Sequence, residues 1–156
     1  MQAAAWQKIV LVGQRFLGLL MRPMTLGVRI VALDAQGRVF LVRHTYLPGF
    51  HLPGGGVEPG ETAVAAAQRE LAEEGGLALT APPEIAGFFK NPRHSRRDHV
   101  VLYVARDVRQ TAAKAPDWEI AESGFFPTDS LPEATTASTR ARLAECLSGK
   151  PAAENW

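Results

Sequence analysis

From Met24 to Ala32, apolar and β-branched residues recur at alternate positions, the period of a strand. Asp34-Ala35-Gln36-Gly37 carries turn chemistry, and Arg38 to Val42 reads as the strand that pairs back on the first. Thr45 to Phe50, with Pro48-Gly49, forms a loop that leads through His51-Leu52 into a stretch too dense in glycine and proline to be anything but loop. At Thr62 the period changes. Alanine and other helix formers take over, Val64, Ala67 and Leu71 form an apolar stripe, and Glu61 and Thr62 stand where the first unpaired helix N–H groups need acceptors. Beyond Leu77 the pattern predicts strands over Glu84 to Phe89 and His99 to Asp107 around an Asn91–Arg97 loop. It then predicts a strand near Glu122 to Phe126 and a helix over Thr139 to Leu147, closed by Gly149. The first segment, Trp6 to Met21, is apolar over a wide helical face with Gln7, Lys8, Gln14 and Arg15 on the other, and Arg22-Pro23 ends it. Its apolar runs are too short and interrupted to span a bilayer, and no small-x-small cleavage site follows Lys8. It is expected to be an extra helix packed on the domain or on a second subunit.

Neither an internal repeat nor a linker divides the chain, and 156 residues are enough for one buried core. The expected organisation is an amphipathic helix over 1–23, a domain over 24–150 and a tail over 151–156. The order of elements argues α/β (α+β), or a mixed sheet between helices. A hydrophobic share of 46% with 21% charged residues is that of a soluble domain, and a net charge of +1 gives no global argument for binding nucleic acid or a membrane. The lone Cys146 excludes an internal disulfide and fits a reducing cytoplasm.

The candidate chemistry sits on the central helix. Glu70, Glu73 and Glu74 fall at i, i+3 and i+4, so the three carboxylates are expected on one side. Each like-charge pair at that spacing costs roughly 0.2–0.5 kcal/mol, and Arg69 alone cannot balance the set. Hard oxygen donors at this density suit Mg²⁺ or Mn²⁺; the alternative is a solvated glutamate face. Gly55, Glu61, Arg69, Glu70, Leu71, Glu73, Glu74, Gly76 and Leu77 fit G-x5-E-x7-R-E-U-x-E-E-x-G-U, with U a bulky aliphatic, at every defining position. Leu52-Pro53-Gly54 leads in. The stretch resembles the Nudix box, and the chain is identified as similar to the Nudix hydrolases.

That resemblance implies an α/β/α sandwich with a mixed sheet between helices. It also implies divalent-metal-dependent hydrolysis of a pyrophosphate bond in a nucleoside-diphosphate-type small molecule. Glu70 and Glu74 would be the principal ligands of Mg²⁺ (or Mn²⁺), with Glu73 in the same cluster and the Gly54 carbonyl contributing. Arg69 would orient a glutamate, and Glu61 would assist the metal shell or cap the helix. The general base would come from the box or from a later loop acid; Glu119 and Glu122 are the candidates, with Asp98 behind them. Arg93, Arg96 and Arg97, with Arg43, are candidates to grip phosphates, and Phe50, Tyr46 and Trp118 to stack on a base. Each has a plain alternative as solvated loop or core. Pro92, about fifteen positions past the box, is a marker the family associates with ADP-ribose cleavage, so ADP-ribose or an NDP-sugar is the expected substrate type. A house-cleaning (d)NTP pyrophosphohydrolase is the alternative, and a non-catalytic nucleotide-binding regulator is disfavoured because every box glutamate is present. No nucleic-acid or membrane partner is expected; a homodimer is compatible.

Overall fold

The computed structural model describes residues 24–156, so the helix expected over Trp6–Met21 lies outside the described residues. β1 (Thr25–Ala32) runs parallel to β5 (Asp98–Ala105), and β4 (Glu84–Lys90) joins β5 antiparallel to make a mixed sheet ordered β1-β5-β4. β2 (Val39–His44) pairs antiparallel with β7 (Ile120–Phe126), and β3 (Leu77–Ala78) with β6 (Arg109–Gln110). Among the described residues there are two helices, α1 (Ala63–Gly75) and α2 (Ala137–Ser148).

Alternation along the strands builds two cores. Val28, Ile30, Ala32, Phe40, Val42, Val101 and Tyr103 face one way and pack with Ala66, Ala67 and Leu71 of α1. Val31, Leu33, Val39, Leu41, Leu102 and Val104 face the other way and pack with Phe89 and Leu143 of α2. Sheet residues with helix on both faces make the α/β/α sandwich, and they explain why β1 reads as nearly continuous apolar sequence.

The structure departs from the expected β1–β2 hairpin. The turn exists: the Asp34 carboxylate accepts the Gln36 and Arg38 N–H groups at 3.0 and 2.8 Å. Only a Leu33–Val39 bridge follows it, however, and β2 leaves to pair with β7. The reason is that the free edge of β1 is already occupied by the glycine loop. Val28 N–H donates to the Gly55 carbonyl (2.8 Å), Ile30 N–H to that of Pro53 (3.0 Å), and Val57 N–H to that of Leu26 (2.8 Å). This pairing fixes the loop at the start of α1 against the sheet.

Helix α1 starts as its sequence requires, the Thr62 hydroxyl accepting the Ala65 N–H at 3.1 Å. It stops at Gly76, whose left-handed φ of 59° and N–H bonded back to Ala72 cap it. Its buried face differs from the expected stripe: Val64 is exposed, and Ala66, Ala67 and Leu71 face the core together with Glu70 and Glu74. α2 begins with a Thr136 cap and ends at Gly149 as expected. In the tail after it, Trp156 packs edge-on against Phe89, ring centroids 5.5 Å apart.

Candidate active site

The two inward carboxylates of α1 are held from different directions. Glu74 is buried, and its Oε2 accepts the Gly54 N–H at 2.8 Å. Gly54 adopts φ 137°, and a β-carbon there would sit 2.1 Å from the Val28 carbonyl oxygen, so only glycine brings the loop N–H this close. Gly55 is tight for a different reason: its β-carbon would meet the carboxylate end of Glu70, Oε1 at 2.4 Å, so a side chain there would push Glu70 out of place. Glu70 is buried too, and Arg69 Nη1 donates to its Oε1 at 2.7 Å.

Arg69 is the hub of the acidic set. Its Nε and Nη2 fork onto the two oxygens of Glu61 at 3.1 Å each, Nη2 also reaches the Gly56 carbonyl at 3.0 Å, and Nη1 reaches Glu73 at 3.3 Å. Glu61 therefore clamps Arg69 and, by accepting the Glu58 N–H at 3.1 Å, the preceding turn; the helix cap is Thr62. The three glutamates are not equally placed: Glu70 and Glu73 share Arg69 Nη1, but only Glu70 and Glu74 are buried. Relative to Glu70, a step of three residues turns the helix away from Glu74, and Glu73 points to solvent with 61% of its side chain exposed. Among the described residues no three acidic, imidazole or thiol groups converge on one point. What comes together is Glu74 on the Gly54 N–H and Glu70 against Gly55, neighbouring positions of one loop.

Sequence reasoning missed Arg29 and His44. Arg29, on β1, donates to the Leu52 carbonyl at 3.3 Å and to the carbonyl of Gly54, the same oxygen expected to serve a metal. The available signal was a lone arginine inside a strand otherwise apolar on both faces. His44 Nε2 lies 3.6 Å from Glu74 Oε1, beyond hydrogen-bonding reach, and its Nδ1 is buried with no protein partner. Burial, then the charge of Arg29 and the nearby His51, pushes His44 down to about 4, so the contact is not an ion pair. Burial, against Arg29 and the Gly54 N–H, pushes Glu74 up to about 8. Burial likewise raises Glu70, with Arg69 opposing.

The remaining expected residues lie in separate places. Glu119 lies on the Glu74 side: its charge is felt by Glu74, and the Tyr46 hydroxyl stands 3.5 Å from its Oε1. Arg43 and Glu122 are opposite each other on β2 and β7 and pair at 2.7 Å. Strand alternation puts them on the face away from His44, where Arg43 stands over the Phe50 ring. Phe50 is buried edge-on against Phe126, so it packs the core and does not offer a stacking face. Arg93, Arg96 and Arg97 are exposed on the β4–β5 loop. Asp98 anchors that loop, its oxygens accepting the Thr25 hydroxyl at 2.6 Å and the Asn91 amide at 2.8 Å. Trp118 is exposed, with its carbonyl bonded to Thr45.

The box sequence, the sandwich and a glycine loop seated against two buried helix glutamates occur together here, and a family model described as NUDIX domain matches residues 23–146. The chain belongs to the NUDIX family. A putative 8-oxo-dGTP diphosphatase of Bacillus subtilis is 34% identical over 76 residues, 49% of this chain and 50% of that protein. An ADP-ribose pyrophosphatase of Methanocaldococcus jannaschii is 33% identical over 105 residues, 65% of this chain and 61% of that protein. The chain thus matches between half and three-fifths of the length of these curated relatives. The crystal structure of a MutT NUDIX hydrolase from Burkholderia pseudomallei superposes with a TM-score of 0.63 at 25% identity, covering 76% of this chain and 95% of that one. In NUDIX terms, the sandwich, the box helix and its glycine loop are where the family resemblance put them, and of the four box glutamates Glu70 and Glu74 are buried, Glu61 is half-buried on Arg69 and Glu73 is exposed.

Proposed function

We propose that this NUDIX protein hydrolyses a pyrophosphate bond in a nucleoside diphosphate linked to a further moiety, of the ADP-ribose or NDP-sugar type, using Mg²⁺ or Mn²⁺. The observation that carries this reading is the buried Glu70–Glu74 pair, seated against a glycine loop and held by Arg69 and the Gly54 N–H. Two buried carboxylates and a carbonyl form an all-oxygen donor set. Mg²⁺ commonly takes one or two carboxylates from a protein and fills its remaining positions with water and substrate phosphate. The residues fit the ion: Glu70 and Glu74 would hold it, the Gly54 carbonyl would join through the lone pair that Arg29 leaves free, and Glu73 would act from outside through water. When bound, such an ion neutralises anhydride oxygens and acidifies water.

The protein's own groups do the positioning. Arg69, locked by Glu61, holds the Glu70 carboxylate, and the Gly54 N–H holds that of Glu74. Arg29 supplies a positive charge facing both glutamates. Glu119, on the Glu74 side and within reach of Tyr46, is the general base in this reading; Glu122 is occupied by Arg43. In this reading the exposed Arg93, Arg96 and Arg97 would meet phosphate or sugar arriving from solvent. Pro92 and the similarity to an ADP-ribose pyrophosphatase favour the nucleoside-diphosphate substrate class. The similarity to a putative 8-oxo-dGTP diphosphatase favours the second reading, a (d)NTP substrate.

The test is a panel of ADP-ribose, NDP-sugars, dinucleoside polyphosphates and (d)NTPs incubated with the protein and Mg²⁺, with phosphate products identified. Glu74→Gln is expected to abolish turnover by orders of magnitude while circular dichroism stays that of the parent. Parent-like turnover by that variant would remove the helix from the mechanism.

A further inference from the structure

The segment following α2 returns to the sheet and builds one wall of a cleft beside the box. Lys90 N–H donates to the Glu154 carbonyl and Trp156 N–H to the Lys90 carbonyl, both at 2.9 Å, so residues 154–156 add to the outer edge of β4 as a strand would. Arg142 fixes this segment from α2. It is 4% exposed, Nη1 donates to the Asn155 carbonyl at 2.8 Å, and Nη2 to Glu145 Oε1 at 2.6 Å. Its guanidinium lies 4.4 Å from the Phe89 ring centroid and 5.7 Å from that of Trp156. Strand pairing, an inward ion pair and aromatic packing hold one tryptophan, yet it is not fully buried. Its remaining surface lines a cleft of about 720 Å³ together with Leu26, Arg29, Gly55, Asn91 and Asp98.

The position of that cleft gives it a use. Arg29 and Gly55 belong to both cleft and acidic site: Arg29 donates to the Gly54 carbonyl, and Gly55 lies against Glu70. The volume lies in the range of small-ligand pockets, roughly 300–1,000 Å³. Away from Arg29 apolar surface predominates, and the polar groups include Glu58, His94 and the Asn91–Asp98 pair, whose amide and carboxylate are bonded to each other. Such a lining rejects a second anionic group and accepts an uncharged planar ring with polar edges. We propose that Trp156 is a substrate-binding residue, the stacking wall of a subsite for the nucleoside end of the substrate, and that Arg142 is the residue that positions it. The proposal rests on the pyrophosphohydrolase reading above and adds where the non-scissile half of the substrate lies.

The test labels the full chain with 5-fluorotryptophan and follows the ¹⁹F spectrum while AMP is added, with inorganic pyrophosphate as the control lacking a base. Trp156→Phe assigns the Trp156 resonance among those of the three tryptophans. AMP is expected to shift the Trp156 resonance saturably, and pyrophosphate is expected to leave it in place. On the substrate found by the panel, Trp156→Ala should raise KM about tenfold or more with kcat nearly retained, and Trp156→Phe should keep most of the affinity. Arg142→Met should raise KM in the same direction and broaden the Trp156 resonance. If AMP shifts another tryptophan and leaves Trp156 unmoved, the subsite is elsewhere and the proposal is wrong. An unchanged KM in a folded Trp156→Ala variant also overturns it. A panel with no cleaved substrate would refute the catalytic reading instead, and the AMP titration would still decide the cleft.

Discussion

At the scale of single residues, the site is a problem of placing several charges in little water. Arg69 touches Glu61, Glu70, Glu73 and a carbonyl at once, which only a planar five-donor group can do. A lysine keeps the charge and loses the fork. Arg69→Lys is therefore expected to fold but to weaken Mn²⁺ binding, read by the electron paramagnetic resonance of the free ion, by about 10- to 100-fold, the usual effect of removing a group that orients metal ligands. Mn²⁺ affinity within twofold of the parent would show that Glu70 needs no such support. The residue types and their spacing made this set legible in the sequence. What spacing could not show was which glutamates turn inward, because that depends on where the helix meets the sheet. The roles of Arg29 and His44 were hard to read for a related reason: a lone arginine in an apolar strand stands out, but strand residues acquire their role from the loop and helix packed against them. Phe50 is the converse case, an aromatic beside a loop that turned out to be core.

The element that makes the site possible is the glycine loop lying along the free edge of β1. Three backbone hydrogen bonds replace the expected hairpin partner, and they put the Gly54 N–H under Glu74. Two glycines of this loop with positive φ separate conformational cost from steric cost. Gly60, at φ 86°, has open space around its missing β-carbon, so Gly60→Ala should cost about 1–2 kcal/mol from the left-handed backbone alone. Gly54→Ala adds a collision with the Val28 carbonyl oxygen and should cost markedly more, with loss of activity beyond the loss of folded protein. Urea titrations of the two variants make the comparison; equal costs would mean that the loop does not press on β1 as described. At the other end of the loop, removing the Thr62 cap should cost about 1 kcal/mol and leave turnover intact. Strand and helix periods revealed most of the elements. They did not reveal strand order, since a hairpin and a β2–β7 pairing bury the same alternating residues, and the choice falls to a loop whose backbone, with few side chains, does the pairing.

For the molecule as a whole, the buried groups of the site make stability depend on pH and metal together. Glu74 faces Arg29 from β1, the Gly54 N–H from the loop, Glu70 on its own helix, His44 from β2 and the charge of Glu119. With its folded value pushed up to about 8 from an ordinary 4.5, the folded state holds a proton that the unfolded chain has lost between those limits, so Glu74 makes stability fall as pH rises. His44, pushed down to about 4 from 6.5, acts oppositely: the unfolded chain holds the extra proton between those values, and stability rises with pH. Between about 4.5 and 6.5 the two slopes offset each other, and between about 6.5 and 8 the Glu74 slope, at most about 1.4 kcal/mol per pH unit, is no longer opposed by His44, while the raised Glu70 acts in the same direction. In EDTA, urea unfolding should therefore show a protein less stable at pH 8 than at pH 6.5. Glu74→Gln, which has no proton to lose, should remove most of that fall. Saturating Mg²⁺ should flatten or reverse it, because an ion held by the ionised carboxylate stabilises the folded state more as protons leave, and the gain on adding metal should grow with pH. A metal-free protein whose stability rises from pH 6.5 to 8 would mean that Glu74 is already ionised in its buried seat, balanced by Arg29. The two folded glutamates would then need no external cation, and the argument for metal at this helix would lose its physical basis.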